Sequence, residues 1–408
     1  MIKYTSNVWI KIILFNLFIV ACLGALMRFK IGFEFPYFDQ KKIQHAHSHF
    51  AFVGWVTQTL LVLIVGIIEP YLNSIQQKKY NQLLWVNLFC AYGMLVSFIV
   101  QGYGLFSIAF STISIALMVV FTIHFFKQSA QFKQYFQAVK WFKGALVFAI
   151  LSALGTAALA YMMVTKNLHQ TSYLATVYFY LHFQYNGWFF FASIGLFIGI
   201  ANKFNVIINN EKLIFGLLFW SCIPAYFLST LWAHLPVWLY VIVVAAAIAQ
   251  FIGWILLLKC VFQQLQQHDK FSKTIQFLLY FVIIAGTVKF TLQLGSTIPF
   301  VSTLAFGFRP IVIAYLHLVL LAFISIMLLL YLYSTNLLLH AKYSVVALIC
   351  FVIGVFFNEF VLAIQGIASF SYTVIPFANT ILFAIALCLM LSAFFLFVIN
   401  YKTKDDNN

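Results

Sequence analysis

The chain of 408 residues is poor in charge: only 8% of its residues are Asp, Glu, Lys or Arg, and the acidic residues number 8. An ordinary soluble domain carries about one quarter charged residues, so a water-facing globule is excluded. Proline is scarce, at 7, and no Pro-, Gly- or Ser-rich linker marks off a separate soluble domain. The six cysteines form no C-x-x-C pair and lie inside apolar stretches, which excludes a disulfide framework and leaves them as small packing residues. The apolar-polar alternation of a membrane barrel is also missing. What remains is hydrophobic, at 64%, with 49 phenylalanines.

Apolar stretches long enough to cross a bilayer recur throughout. Lipid offers backbone groups no partners, so these stretches are expected to be helices. Twelve are expected, at about 8–28, 45–68, 83–103, 105–126, 142–164, 173–200, 213–232, 236–260, 274–296, 310–333, 343–366 and 374–400. The fold class is therefore an all-α polytopic membrane protein, a single integral membrane domain over residues 1–408. The first stretch carries Lys11, ends in Arg28 and has no evident cleavage site, so it reads as a retained helix.

A net charge of +15 invites a nucleic-acid reading, but the basic residues form no stripe. They sort by side instead. Sixteen lysines, from Lys3 to Lys404, fall on the side that holds both termini. Six basic residues fall on the other: Arg28, Lys30, Lys41, Lys42, Lys166 and Arg309. The positive-inside bias makes the first side cytoplasmic and points to a multi-pass protein of the cytoplasmic (inner) membrane.

Three histidines recur in one setting. His49, His182 and His317 are each followed at the fifth position by a small residue (Gly54, Gly187, Ala322) and at the sixth by an aromatic (Trp55, Trp188, Phe323). They fall in spans two, six and ten. Three pseudo-repeats of four helices follow, at about 1–140, 141–273 and 274–408. At about 1.5 Å per residue, each histidine lies roughly 6–14 Å from its span's outer end. Imidazole binds iron, copper and zinc and carries protons at neutral pH. Buried redox or proton chemistry is the expectation.

Other polar residues qualify this picture. His45 and His49 share a helix face at i,i+4 while His47 points elsewhere. His45 and His47 read either as ligands or as interfacial residues facing water. His234 lies 52 residues after His182, where Gln101 and Gln365 hold the corresponding places after His49 and His317. His182 and His234 are candidates to share a metal. Lys289 and Glu359 lie within spans nine and eleven, where an ionisable group usually faces a cavity or a partner. Both are candidate proton-path residues. Arg28 and Arg309 suit either carboxylate pairing or interfacial snorkelling.

The twelve-helix, three-unit arrangement with histidines on helices two, six and ten resembles the haem-copper oxidase catalytic-subunit superfamily, nitric oxide reductases included. His47-Ser48-His49-Phe50-Ala51-Phe52-Val53-Gly54 looks like the reductases' H-x-H-x-A-F-x-G string, which they carry on helix ten. Tyr180-Leu181-His182-Phe183-Gln184-Tyr185-Asn186-Gly187 is similar to the sixth-helix copper motif, with Asn186 where reductases have glutamate. The resemblance implies a low-spin haem held by His49 and His317, copper on His182 and His234, and propionate contacts from Arg28 and Arg309. It departs at Ala233-His234, where the family pairs two histidines, and at Tyr315-Leu316-His317, where tyrosine stands for the high-spin haem ligand. Tyr315 becomes a candidate at the gas site.

The resemblance implies electron transfer from a separate cytochrome c or quinol to oxygen or nitric oxide. No C-x-x-C-H motif is present, so a b-type, non-covalent haem is expected. A second resemblance joins His45-Ala46-His47-Ser48-His49-Phe50-Ala51-Phe52 to the H-A-H-E-x-x-F-G string of the NnrS-type haem and copper membrane family. That reading is non-catalytic: haem or copper handling, or a nitric oxide response. A proton-coupled transporter using Lys289 and Glu359 is the third class.

Overall fold

The computed structural model describes residues 7–132, 136–167, 169–203, 208–233, 235–267, 271–302 and 308–402. Twelve helices among them are long and apolar enough to cross a membrane, and no strand occurs among the described residues. They are α1 (Val8–Gly32), α2 (Gln40–Tyr71), α3 (Ser74–Gln101), α4 (Leu105–Gln131), α5 (Gln137–Val164) and α6 (Gln170–Ala201). The rest are α7 (Glu211–Ala233), α8 (Val237–Gln263), α9 (Lys273–Gly295), α10 (Pro310–Ser334), α11 (Lys342–Phe370) and α12 (Ala378–Tyr401). The chain is a multi-pass, all-helical membrane protein, as its apolar runs require.

α2 and α3 start five and nine residues earlier than hydropathy indicates, and capping explains both. Asp39 precedes α2 and its carboxylate accepts from the Lys42 backbone N–H at 2.9 Å. Asn73 and Gln76 form a reciprocal capping box ahead of α3. Polar first turns are thereby held helical before the apolar run begins.

Helix packing divides the chain into two compact units. The first comprises Met1–Lys133, Leu328–Gln365 and Val374–Asn408; the second comprises Gln134–Met327 and Gly366–Thr373. In the first unit α1 lies along α12, with Phe15 against Phe397 and Phe18 against Phe394 at ring separations of 5.2 and 5.3 Å. α2 is enclosed: 89% of its apolar window is buried, against 17% for α4, which faces outward. In the second unit α6 is the enclosed helix, at 83%. The helices bearing His49 and His182 are therefore interior ones.

In the second unit, Glu211 at the start of α7 is buried yet satisfied. Trp141 donates its indole N–H to Glu211 Oε1 at 2.7 Å, and Lys140 Nζ lies 3.5 Å from Oε2. This carboxylate ties α5 to α7 and is structural.

Candidate functional site: three histidines at π-helical turns

α2, α6 and α10 each change from α- to π-helix at the residue after the recurring histidine. The π segments are Phe50–Thr57, Phe183–Phe189 and Leu318–Ser325. A π turn inserts an extra residue and shifts hydrogen bonding to i→i+5, leaving carbonyls without their usual donors. In lipid such carbonyls need partners from inside the protein. The small residue five positions after the histidine lies in this turn. A Cβ at Gly187 would meet Phe148 Cβ at 2.5 Å, and one at Gly54 would meet the Phe50 ring at 2.7 Å. Close packing thus accounts for glycine at both places.

The first unit supplies partners from neighbouring helices. Asn16, fully buried on α1, donates Nδ2 to the Gly54 carbonyl at 2.6 Å. Its Oδ1 accepts from the Tyr92 hydroxyl at 2.8 Å. Asn87 on α3 donates to the Val53 carbonyl at 3.4 Å and to Gln58 Oε1 at 2.7 Å. In the second unit, the π turn of α10 is served locally: the Ser325 hydroxyl donates to the Leu320 carbonyl at 2.8 Å.

The three imidazoles differ. His182 is 1% exposed, and both of its nitrogens are engaged. Nε2 lies 2.9 Å from the Cys222 carbonyl and Nδ1 lies 3.1 Å from Asn186 Nδ2. A carbonyl only accepts and an amide nitrogen only donates, so the ring is neutral with its proton on Nε2. The Cys222 carbonyl is available because α7 tightens here: the Tyr226 N–H bonds to Ile223 instead, at 3.3 Å, as the chain enters the 3₁₀ segment Pro224–Ala233. The Cys222 thiol lies 3.8 Å from Nε2.

His317 is half-buried, and its Nδ1 donates to the Ile313 carbonyl at 2.9 Å. That bond places the ring's lone pair on Nε2. Tyr315, half-buried two residues earlier, meets Tyr185 edge-on at 6.3 Å between rings.

His49 is half-buried and stacks on Phe98 at 4.3 Å. Its Nε2 lies 3.2 Å from the Tyr103 hydroxyl. His45 approaches the same tyrosine edge-on at 4.7 Å, and its Nε2 is shut off from solvent with no hydrogen-bond partner among the described residues. Tyr103 is 52% exposed, so this centre opens outward. His47 turns the other way, toward Gly24 of α1, whose Cβ position is 3.6 Å from His47 Cε1. The shared face of His45 and His49 is thus as their spacing requires.

The remaining candidates stand apart from these rings or beside them. Lys289 on α9 is 1% exposed. Its Nζ donates to Gln293 Oε1 at 2.7 Å and lies 3.9 Å from the centre of the Phe290 ring. It has no carboxylate partner among the described residues, and it is within electrostatic reach of His182 and Cys222. Glu359 on α11 is half-buried and accepts from Asn358 Nδ2 at 3.1 Å. Arg28 is half-buried with no acidic partner among the described residues. His234 and the side chain of Arg309 lie outside the described residues.

The glutamine that holds His234's place after His49 has a local task. The Gln101 amide oxygen accepts from the backbone N–H groups of Phe106 and Ser107, at 3.0 and 3.2 Å, and so caps α4. Among the described residues no three His, Cys, Asp or Glu side chains converge as a metal cluster. The residues that sequence reading passed over are Tyr103, Asn16, Asn87 and the Cys222 carbonyl. Neither a protein-family model nor a curated protein matches the chain.

Proposed function

We propose that the chain is a haem-binding electron-transfer protein of the cytoplasmic membrane, in which His317 and His49 would each offer an imidazole nitrogen to haem iron. The observation that carries this is the His317 tautomer. With Nδ1–H held by the Ile313 carbonyl, Nε2 carries the lone pair that would bind haem iron. At His49 the same nitrogen faces the Tyr103 hydroxyl, which haem would displace. Bound haem would supply one-electron chemistry. The chain's own residues would set its orientation, and Arg28 would offer a propionate partner. Both termini inside, three four-helix repeats and a separate quinol or cytochrome c donor belong to this reading.

Copper on His182 would require the ring to give up its present partners, and the second candidate ligand, His234, lies outside the described residues. The ring's one lone pair already accepts from Asn186, and its other nitrogen carries the proton given to Cys222. Electron transfer or haem handling asks less of this chain than reduction of oxygen or nitric oxide at a haem-copper pair.

A second reading, proton-coupled transport, draws on Lys289. An ammonium group this buried, with one amide oxygen and aromatic faces for company, is costly and is usually retained for use. One measurement separates the two readings. A reduced-minus-oxidised spectrum of the purified protein is expected to show low-spin b-type bands, silent to carbon monoxide. His317→Ala and His49→Ala should each abolish them. Absence of any haem band sinks the first reading and favours transport. Persistence of the bands in both variants shows that the assigned ligands are wrong.

A further inference from the structure

A membrane-facing groove runs between α7 and α8 in the second unit, with a volume of about 440 Å³. Its floor is made of small side chains, Gly216 on α7 with Ala245 and Ala249 on α8, and exposed Trp220 forms part of its wall. It extends from Lys212 to Pro224. Twelve residues at 1.5 Å each give about 18 Å. One leaflet's share of the hydrocarbon core is about 15 Å. The groove is therefore as long as one leaflet is deep.

Its Lys212 end is basic. Lys212 lines the groove and is exposed. Lys259 on α8 comes to the same level, because the thiol of neighbouring Cys260 reaches the Asn209 carbonyl at 3.4 Å. It also continues the helix face that lines the groove: Ile242, Ala245, Ala249, Ile252, Leu256 and Lys259 follow one another at intervals of three or four residues. Neither lysine has a carboxylate partner among the described residues, since the Glu211 carboxylate is turned inward to Trp141 and Lys140. By the distribution of basic residues, this end is the cytoplasmic one.

We infer that the α7–α8 groove is a binding site for an anionic phospholipid. The acyl chain lies over Gly216, Ala245 and Ala249 beside Trp220, and the phosphate rests between Lys212 and Lys259. An apolar trough of one-leaflet length suits an acyl chain. Two cations with no acid at its interfacial end select a negative headgroup over a zwitterionic one. The site is independent of haem.

The test is native mass spectrometry of the full-length protein released from micelles containing equal phosphatidylglycerol and phosphatidylcholine. Wild type is expected to retain phosphatidylglycerol preferentially. Lys212→Gln combined with Lys259→Gln should cut that preference by about 25-fold, at about fivefold per lysine. Gly216→Leu should abolish retention of both lipids, because a Cβ there meets nothing within 4 Å and the side chain enters the groove without a clash. Thermal unfolding serves as the second readout. The lipid-free melting temperature should not fall in any variant, and stabilisation by phosphatidylglycerol should be lost. Equal retention of both lipids by wild type overturns the inference, as does a preference that survives the double substitution. A dimer that Gly216→Leu dissociates, with lipid retention unaltered, would also overturn it and make the groove a surface for a second copy.

Discussion

His182 and His49 share a sequence setting and a backbone setting, each standing one residue before a π turn on an enclosed helix. Their imidazoles are nevertheless in opposite states. His182 is closed, with one nitrogen donating to Cys222 and the other accepting from Asn186, and almost no surface left. His49 is open, beside a half-exposed tyrosine and a second histidine whose Nε2 has no hydrogen-bond partner among the described residues. The π turn supplies a place for an imidazole, and the neighbouring helices decide whether it holds the fold or remains available to a ligand. A recurring histidine therefore marks shared architecture without marking shared chemistry.

The largest effect should come from breaking the closed centre. His182→Ala leaves the Cys222 carbonyl and the Asn186 amide unpaired in the core and opens a cavity beside them. A loss of about 3–5 kcal/mol is expected. His49→Ala removes a half-buried ring that stacks on Phe98 and meets one phenol, and should cost less, about 1–2 kcal/mol. Thermal unfolding of both variants in detergent measures the contrast. Equal melting temperatures would erase the distinction between closed and open centres.

Next comes the support of the π turn itself. Asn16→Leu strands the Gly54 carbonyl and the Tyr92 hydroxyl, for a cost of about 2 kcal/mol. Ser325→Ala, at the turn that α10 serves locally, should cost about 1 kcal/mol. If the two substitutions were reversed in rank, the cross-helix bond would not be what holds the first turn.

Lys289 tests the closed centre from its other side. Its ammonium has a single hydrogen-bond partner and no counter-ion among the described residues, so burial is largely uncompensated. Lys289→Met keeps the stem and removes the charge. A gain of about 1–2 kcal/mol in stability is expected. A loss of comparable size in the same unfolding assay would show that the ammonium is held by more than Gln293 and the rings.

Much of this was legible in the chain, and the limits are physical. The twelve spans follow from length and apolarity, which lipid makes nearly sufficient. The shared face of His45 and His49 follows from the helical period. The histidine repeat marked the π turns by position, but not that they are π, because that depends on carbonyl partners. Asn16 serves Gly54 across 38 residues of sequence. The signal was present all the same: an asparagine inside an apolar span needs a partner, and Asn16 and Asn87 are two such residues. The state of His182 was hidden more deeply. It depends on the Cys222 carbonyl, freed where α7 tightens ahead of Pro224. A proline two residues after an inward-facing position is the only local hint.

The smallest effect concerns the helix start that carries the open centre. Asp39 caps α2, six residues before His45, and its carboxylate accepts from the Lys42 N–H. That backbone bond, the largest influence, outweighs the opposing cost of desolvation and, with Lys41 and the nearby lysine charges, holds the Asp39 carboxyl below its ordinary value. A depressed carboxyl contributes stability at pH values above its unfolded value and loses it as pH falls through the folded one. The start of α6 has no such side-chain cap: its N-cap residue is His169, without a side-chain bond. Hydrogen exchange corrected for intrinsic rate should therefore show protection of the first turn of α2 declining on acidification, while that of α6 stays level. Asp39→Asn keeps an acceptor and should leave α2 protected without the pH dependence; Asp39→Ala should reduce protection at every pH. Acid-sensitive exchange that persists in Asp39→Asn would assign the effect to His45 or His49 and make the open centre itself the titrating group.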